Sequence, residues 1–187
     1  MLASIVSLMK NIVVVGSHGK TTTTSLIASI FQETKIDPTI INGGVINSIK
    51  STAKLGKSDW SILEADESDG SFVHISPTYS IITNIDREHM DFYKSMDDLR
   101  EYFIEFINKV NSNFKIKNIK QHKSFSNFDL KVKLPNKKNL NFKNIKIPLL
   151  GIHNIRNTVG AIGVALTVGI PVHKIKKGLK NFKGVQR

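Results

Sequence analysis

The segment GSHGKTTTT, Gly16–Thr24, follows directly on the apolar run IVVV of Ile12–Val15. A short β-branched apolar run of this kind suits a strand buried on both faces. Beyond the glycines, Thr21–Phe31 (TTTTSLIASIF) places Leu26, Ile27, Ile30 and Phe31 at helical spacing. The order is strand, glycine loop, helix, which commits this end of the chain to an α/β arrangement with the helix packed back on a sheet.

Gly16-Ser17-His18-Gly19-Lys20-Thr21 ends in the GK[ST] of a phosphate-binding loop, between the strand and the helix that such a motif requires. Glycines let backbone N–H groups turn inward onto phosphate oxygens, and a helix N-terminus adds a favourable dipole. The candidate phosphate contacts are therefore Gly16, Ser17, His18, Gly19, Lys20, Thr21 and Thr22. Lys20 would meet the β- and γ-phosphates, and the Thr21 hydroxyl would hold Mg²⁺. His18 either contacts phosphate or only shapes the turn. Val14 stands where the longer G-x-x-x-x-G-K form has its first glycine, so the loop is the shorter G-x-x-G-K-T form.

Two more strands run into polar ends. Trp60–Leu63 leads into EADESDG, and Tyr79–Ile85 into DREHMD. In open α/β sheets, ligands gather outside the carboxyl ends of the strands. A carboxylate at Glu64 would lie near the phosphate loop and can bind Mg²⁺ directly or through water. Asp66, Glu67 and Asp69 read instead as an acidic, solvated loop. His89 is either a satisfied surface residue or a functional one after the third strand.

SMDDLREYFIEFINKV reads as an amphipathic helix with Ser95 at its N-cap and Leu99, Phe103, Phe106, Ile107 and Val110 inward. Residues 111–146 are rich in Lys and Asn, and their weak alternation (FDLKVKL, NFKNIKI) suggests a β-hairpin or a poorly ordered segment. After Pro148 a loop, GIHNIRN, enters a small-residue helix; Asn154 and Asn157 there can cap the helix or pair with an adenine edge. Gly169-Ile170-Pro171 ends this helix and starts another, with Val172, Ile175 and Leu179 inward. The expected fold is α/β: a mostly parallel sheet flanked by helices, plus a small antiparallel hairpin within 111–147.

Composition narrows the setting. With no cysteine there is no disulfide framework and no thiolate chemistry, which suits a reducing cytoplasm. The MLASIVSLMK start lacks a basic leader and reads as a short helix packed on the domain; no stretch is long and apolar enough to span a membrane. The net charge of +12 is uneven: residues 1–110 carry 10 Lys and Arg against 14 Asp and Glu, and residues 111–187 carry 17 against Asp129 alone. The excess is nearly all Lys interspersed with Asn and Ile, without arginine–aromatic patterning, so a nucleic-acid site is not the favoured reading.

Together, GSHGKTTTT, EADESDGSF, TNIDREHMD and GIHNIRNTVGA resemble the Mur ligase family, in particular its alanine-adding branch. The likeness covers residues 1–110 and 147–187. It implies a single central ATP-binding domain, with ATP and Mg²⁺ as cofactors and UDP-N-acetylmuramate and L-alanine as substrates. It also implies that Lys20 stabilises the transferring phosphoryl group, that Thr21 and Glu64 hold one Mg²⁺, and that His89 helps bind a second. Asn157 would read adenine, with Asn154 beside it. The family's N-terminal UDP-binding and C-terminal amino-acid-binding domains have no counterpart in these residues. Residues 111–146 are shorter than in relatives, and Arg187 is either a phosphate-contacting arginine or a residue at a frayed end.

Three readings follow. One is the ATP-binding part of a ligase, inactive alone and working with separately encoded domains or surviving as a remnant. Another is a Mg-ATP-binding module without ligase activity. A basic nucleic-acid-associated protein is the third, distinguishable by its steep salt dependence.

Overall fold

A computed structural model describes residues 2–106, 113–133 and 139–186. Helix α1 (Leu2–Val6) leads into β1 (Lys10–Val15) and α2 (Lys20–Phe31). Strands β2 (Thr39–Ile46), β3 (Ser51–Lys54) and β4 (Trp60–Glu64) follow, then a 3₁₀ turn (Ser71–His74), β5 (Tyr79–Ile82) and α3 (Met96–Phe106). Next come β6 (Asn113–Gln121), β7 (Ser126–Lys133) and β8 (Leu140–Ile147), then α4 (Ile152–Val168), α5 (Val172–Lys180) and the short β9 (Val185–Gln186).

The main sheet runs β3-β2-β4-β1-β5, with β9 also on β2. β1 is parallel to β4 and β5, and β2 is parallel to β4; β3 and β9 are antiparallel to β2. The alternation of β1 shows why IVVV lies at the centre. Ile12 and Val14 join the core beneath α2, α4 and α5, whereas Val13 and Val15 join the core formed with Leu99, Phe103 and Phe106 of α3 and Phe72 of the 3₁₀ turn. An apolar residue at every position is what a strand covered on both faces needs.

Several expectations need adjusting. The third strand ends at Ile82 rather than Ile85, because Thr83–Asp86 turn to meet the glycine loop. Ser95 caps α3 as expected, accepting the Asp98 N–H at 3.0 Å, while the Asp98 carboxylate accepts the Lys94 N–H at 2.9 Å. Leu99, Phe103 and Phe106 are buried; Ile107, Val110 and Arg187 lie outside the described residues. Ile175 and Leu179 are buried, but Val172 is 38% exposed in the first turn of α5.

The segment expected as a hairpin is a three-stranded antiparallel sheet, ordered β6-β7-β8. Phe128, Leu130 and Val132 of β7 and Phe142, Ile145 and Ile147 of β8 enter the core shared with α2, α4 and α5. In β8 the spacing from Phe142 to Ile145 is odd, which would turn Ile145 outward in a regular strand. Asn144, at φ 53°, breaks the phase, and the register between β7 and β8 shifts there. A matching irregularity in β6 holds Asn118 at φ 51°. Asp129 ties both irregularities down: it accepts the Asn144 N–H at 2.8 Å and the Asn118 side-chain amide at 2.7 Å. These two bonds, together with nearby lysines, hold its carboxyl below the usual range.

Candidate functional site

The parallel strands β1, β4 and β5 end on one side, and the loop after β1 is stitched to its neighbours there. The His18 N–H donates to Asn84 Oδ1 at 2.8 Å, and the Asp86 N–H donates to Ser17 Oγ at 3.0 Å. Gly16 has φ 121°, and a Cβ on it would stand 2.5 Å from Thr83 Oγ1. Gly19 has φ 84° and precedes α2 without a side-chain cap. No side chain thus competes for that helix start, and the N–H groups of its first turn, Thr22 included, remain free for an anion. The His18 imidazole points to acids instead, lying 3.3 Å from Glu88 and 3.8 Å from Asp86.

Thr21 and Glu64 meet as expected. The Thr21 hydroxyl donates to Glu64 Oε1 at 3.0 Å, and the other carboxylate oxygen accepts the Gly43 N–H at 2.7 Å. A hydroxyl beside a carboxylate is the hard, all-oxygen donor set that Mg²⁺ takes, so these residues fit that ion.

Glu67 overturns its reading as part of a solvated loop. It is 1% exposed, and both carboxylate oxygens accept from Lys20 Nζ, at 2.7 and 3.0 Å. A carboxylate this deep needs a cation, and the loop lysine is the one that reaches it. His89, at φ 59°, brings Nε2 to 3.5 Å from Glu67, and one ligand atom each of Asp66, Glu67 and His89 lie within 4.8 Å of one another. His89 therefore shares a cluster with Glu67 and Asp66. Tyr93 closes this group from below: it is buried and donates its hydroxyl to the Glu67 carbonyl. Burial first, then the Glu67 charge, pushes the Tyr93 phenol up to about 12.

The two α4 asparagines diverge. Asn154 donates its amide back to the Leu150 carbonyl at 2.7 Å and does not cap α4, whose N-cap position is Gly151 with no side-chain cap bond. Asn157 is 9% exposed and sits against the loop, so that a Cβ on Gly19 would stand 2.6 Å from its Nδ2. The sequence reading missed Glu67, Thr83, Asn84 and Tyr93. Asn84 lay in plain view at the end of the third apolar run; the others take their roles from segments distant in sequence.

A model of the Mur ligase middle domain matches residues 14–123. The chain belongs to the Mur ligase family. The chain is 63% identical over its whole length to the UDP-N-acetylmuramate–L-alanine ligase of Pelagibacter ubique and 38% identical to that of Rickettsia canadensis, covering 48% and 47% of those proteins. It thus spans about half the length of the curated relatives it matches. The alignments run to 215–223 positions against 187 residues, so the relatives carry residues within the matched span that this chain lacks. In fold it is similar to the UDP-N-acetylmuramate-alanine ligase of Thermotoga maritima, with a TM-score of 0.79 at 23% identity, over 96% of this chain and 46% of that one. Among the described residues, no helix is long and apolar enough to cross a membrane.

Proposed function

We propose that this chain is the ATP-binding part of a ligase that joins L-alanine to UDP-N-acetylmuramate, acting in the cytoplasm. One observation carries the nucleotide reading: an uncapped helix start behind GSHGK, with the Lys20 ammonium and the Thr21–Glu64 pair side by side at the strand ends. The choice of substrates rests on the names of the relatives.

In this reading the γ-phosphoryl group of ATP passes to the substrate carboxylate, giving an acyl phosphate and ADP. The alanine amine then attacks the acyl carbon, and phosphate leaves. Catalysis of this kind is positioning and charge stabilisation. The Gly16–Thr22 loop amides other than that of His18, which Asn84 holds, cradle the phosphates, and Lys20 meets the charge that develops on the transferring group. Thr21 and Glu64 would hold Mg²⁺, which would neutralise phosphate charge, and His89 would help hold a second ion. Asn157, against the loop, and Asn154, one turn earlier, are the candidate nucleotide contacts of α4. The chain spans about half the length of its relatives, and this reading assigns it the nucleotide step, with no residue of this stretch assigned to the UDP or alanine groups.

Calorimetric titration with Mg-ATP, beside Lys20→Ala, tests the nucleotide reading. Saturable binding in the parent, weakened at least tenfold in the variant, is expected. A folded parent that takes up no nucleotide would overturn it. Alanine-dependent phosphate release by these 187 residues with UDP-N-acetylmuramate would overturn the restriction of this stretch to the nucleotide step.

A further inference from the structure

Lys20 has two claims on it. The loop places it for phosphate, yet its ammonium sits on the two oxygens of Glu67, which is 1% exposed in its side chain against 15% for Lys20. An ammonium cannot leave a buried carboxylate without something positive taking its place, since an unpaired buried charge is heavily penalised. The surroundings of Glu67 are arranged for such a replacement: His89 Nε2 stands 3.5 Å away, and Asp66 offers an oxygen in the same cluster. The backbone there is pinned by Tyr93, whose buried hydroxyl donates to the Glu67 carbonyl.

From this geometry we infer that Glu67 is a positioning residue that latches Lys20 in the empty chain. Release of Lys20 to a triphosphate is coupled to a divalent cation arriving beside Glu67. The inference rests on the reading of Lys20 as a phosphate ligand. It makes cation and nucleotide cooperative: each strengthens the other by the same factor, because coupling between two bound ligands is reciprocal. Glu67 then has a role distinct from that of Glu64, whose oxygens are taken by Thr21 and Gly43 and hold no lysine.

The test compares the parent with Glu67→Gln, Lys20→Met and the double variant. ATP affinity is measured by calorimetry with Mg²⁺ and with a chelator, and melting temperature without any nucleotide. For Glu67→Gln, metal-free ATP should bind more tightly than to the parent, and the factor by which Mg²⁺ improves affinity should shrink by ~5-fold or more. A loss of affinity shared equally by both conditions would mean a merely structural carboxylate. Loss confined to Mg-ATP would mean a cation ligand with no latch. Either result overturns the inference. In the nucleotide-free melts the two single substitutions should be non-additive, the double variant losing less than their sum. Additive losses overturn the latch even if nucleotide binds. Non-additive losses in a parent that takes up no ATP overturn the nucleotide reading itself, and the exchange with it, while leaving the ion pair standing.

Discussion

Gly19 holds φ 84° with the Asn157 carboxamide close above it, and a methyl group there would stand 2.6 Å from Nδ2. Gly19→Ala should cost about 1–2 kcal/mol in stability from the left-handed backbone alone. Nucleotide affinity should fall further, because relief requires Asn157 to move away from the loop; denaturant melts and calorimetry on one sample would separate the two effects. Tyr93 gives a prediction in pH. Its phenol titrates near 12 in the folded chain against an ordinary 10.0, because burial and the Glu67 charge disfavour the phenolate. Its contribution is therefore fully present below pH 10 and is lost as pH rises from there through about 12. Tyr93→Phe should flatten that alkaline decline and cost about 1 kcal/mol at neutral pH through the lost bond to the Glu67 carbonyl; urea melts at pH 7 to 11 would show both. The loop residues were legible because glycine spacing, lysine and threonine carry their chemistry within six positions. Glu67 was not legible. Within EADESD every acid looks alike, and only the arrival of Lys20, His89 and Tyr93 from other segments singles one out.

At the scale of elements, Gly178 sets how closely α5 approaches α2. A Cβ there would stand 2.6 Å from Ile30 Cα and 2.8 Å from the Ser29 carbonyl oxygen, both backbone atoms that cannot yield as a flexible side chain would. Gly178→Ala should therefore force the helices apart at a cost of about 1–3 kcal/mol, measurable as a lowered denaturant midpoint with an unchanged slope. The apolar runs at Ile12–Val15 and Trp60–Leu63 were readable because buried parallel strands need an apolar residue at nearly every position. Tyr79–Ile82, half-buried at the sheet edge, was readable only with its end run on to Ile85. β2 escaped notice: TIINGGVI carries two glycines, which argue against a strand, yet Gly43 is where the backbone comes close enough to bond Glu64. The third strand of the small sheet escaped for a different reason. Its inward residues change phase at Asn144, so a strict period of two finds only fragments.

For the molecule as a whole, the two halves differ in charge as well as in role. The candidate site draws its acids, Glu64, Asp66 and Glu67, from the acidic first 110 residues, whereas the lysine excess falls after position 111 and includes exposed Lys115, Lys131 and Lys146 of the small sheet. Nucleotide affinity should then change little between low and moderate salt. Any attraction of the chain to polyanions should fall steeply over the same range; titrations with Mg-ATP and with a random DNA duplex at two salt concentrations would show the contrast. The stitching of the glycine loop has a consequence for timing. With the His18 amide on Asn84, Ser17 under Asp86 and Asn157 resting on Gly19, the cradle is already set before anything enters it. Its ordering entropy is spent when the chain folds, so an incoming triphosphate meets a finished mould, and the movement left to be made is that of a single lysine side chain.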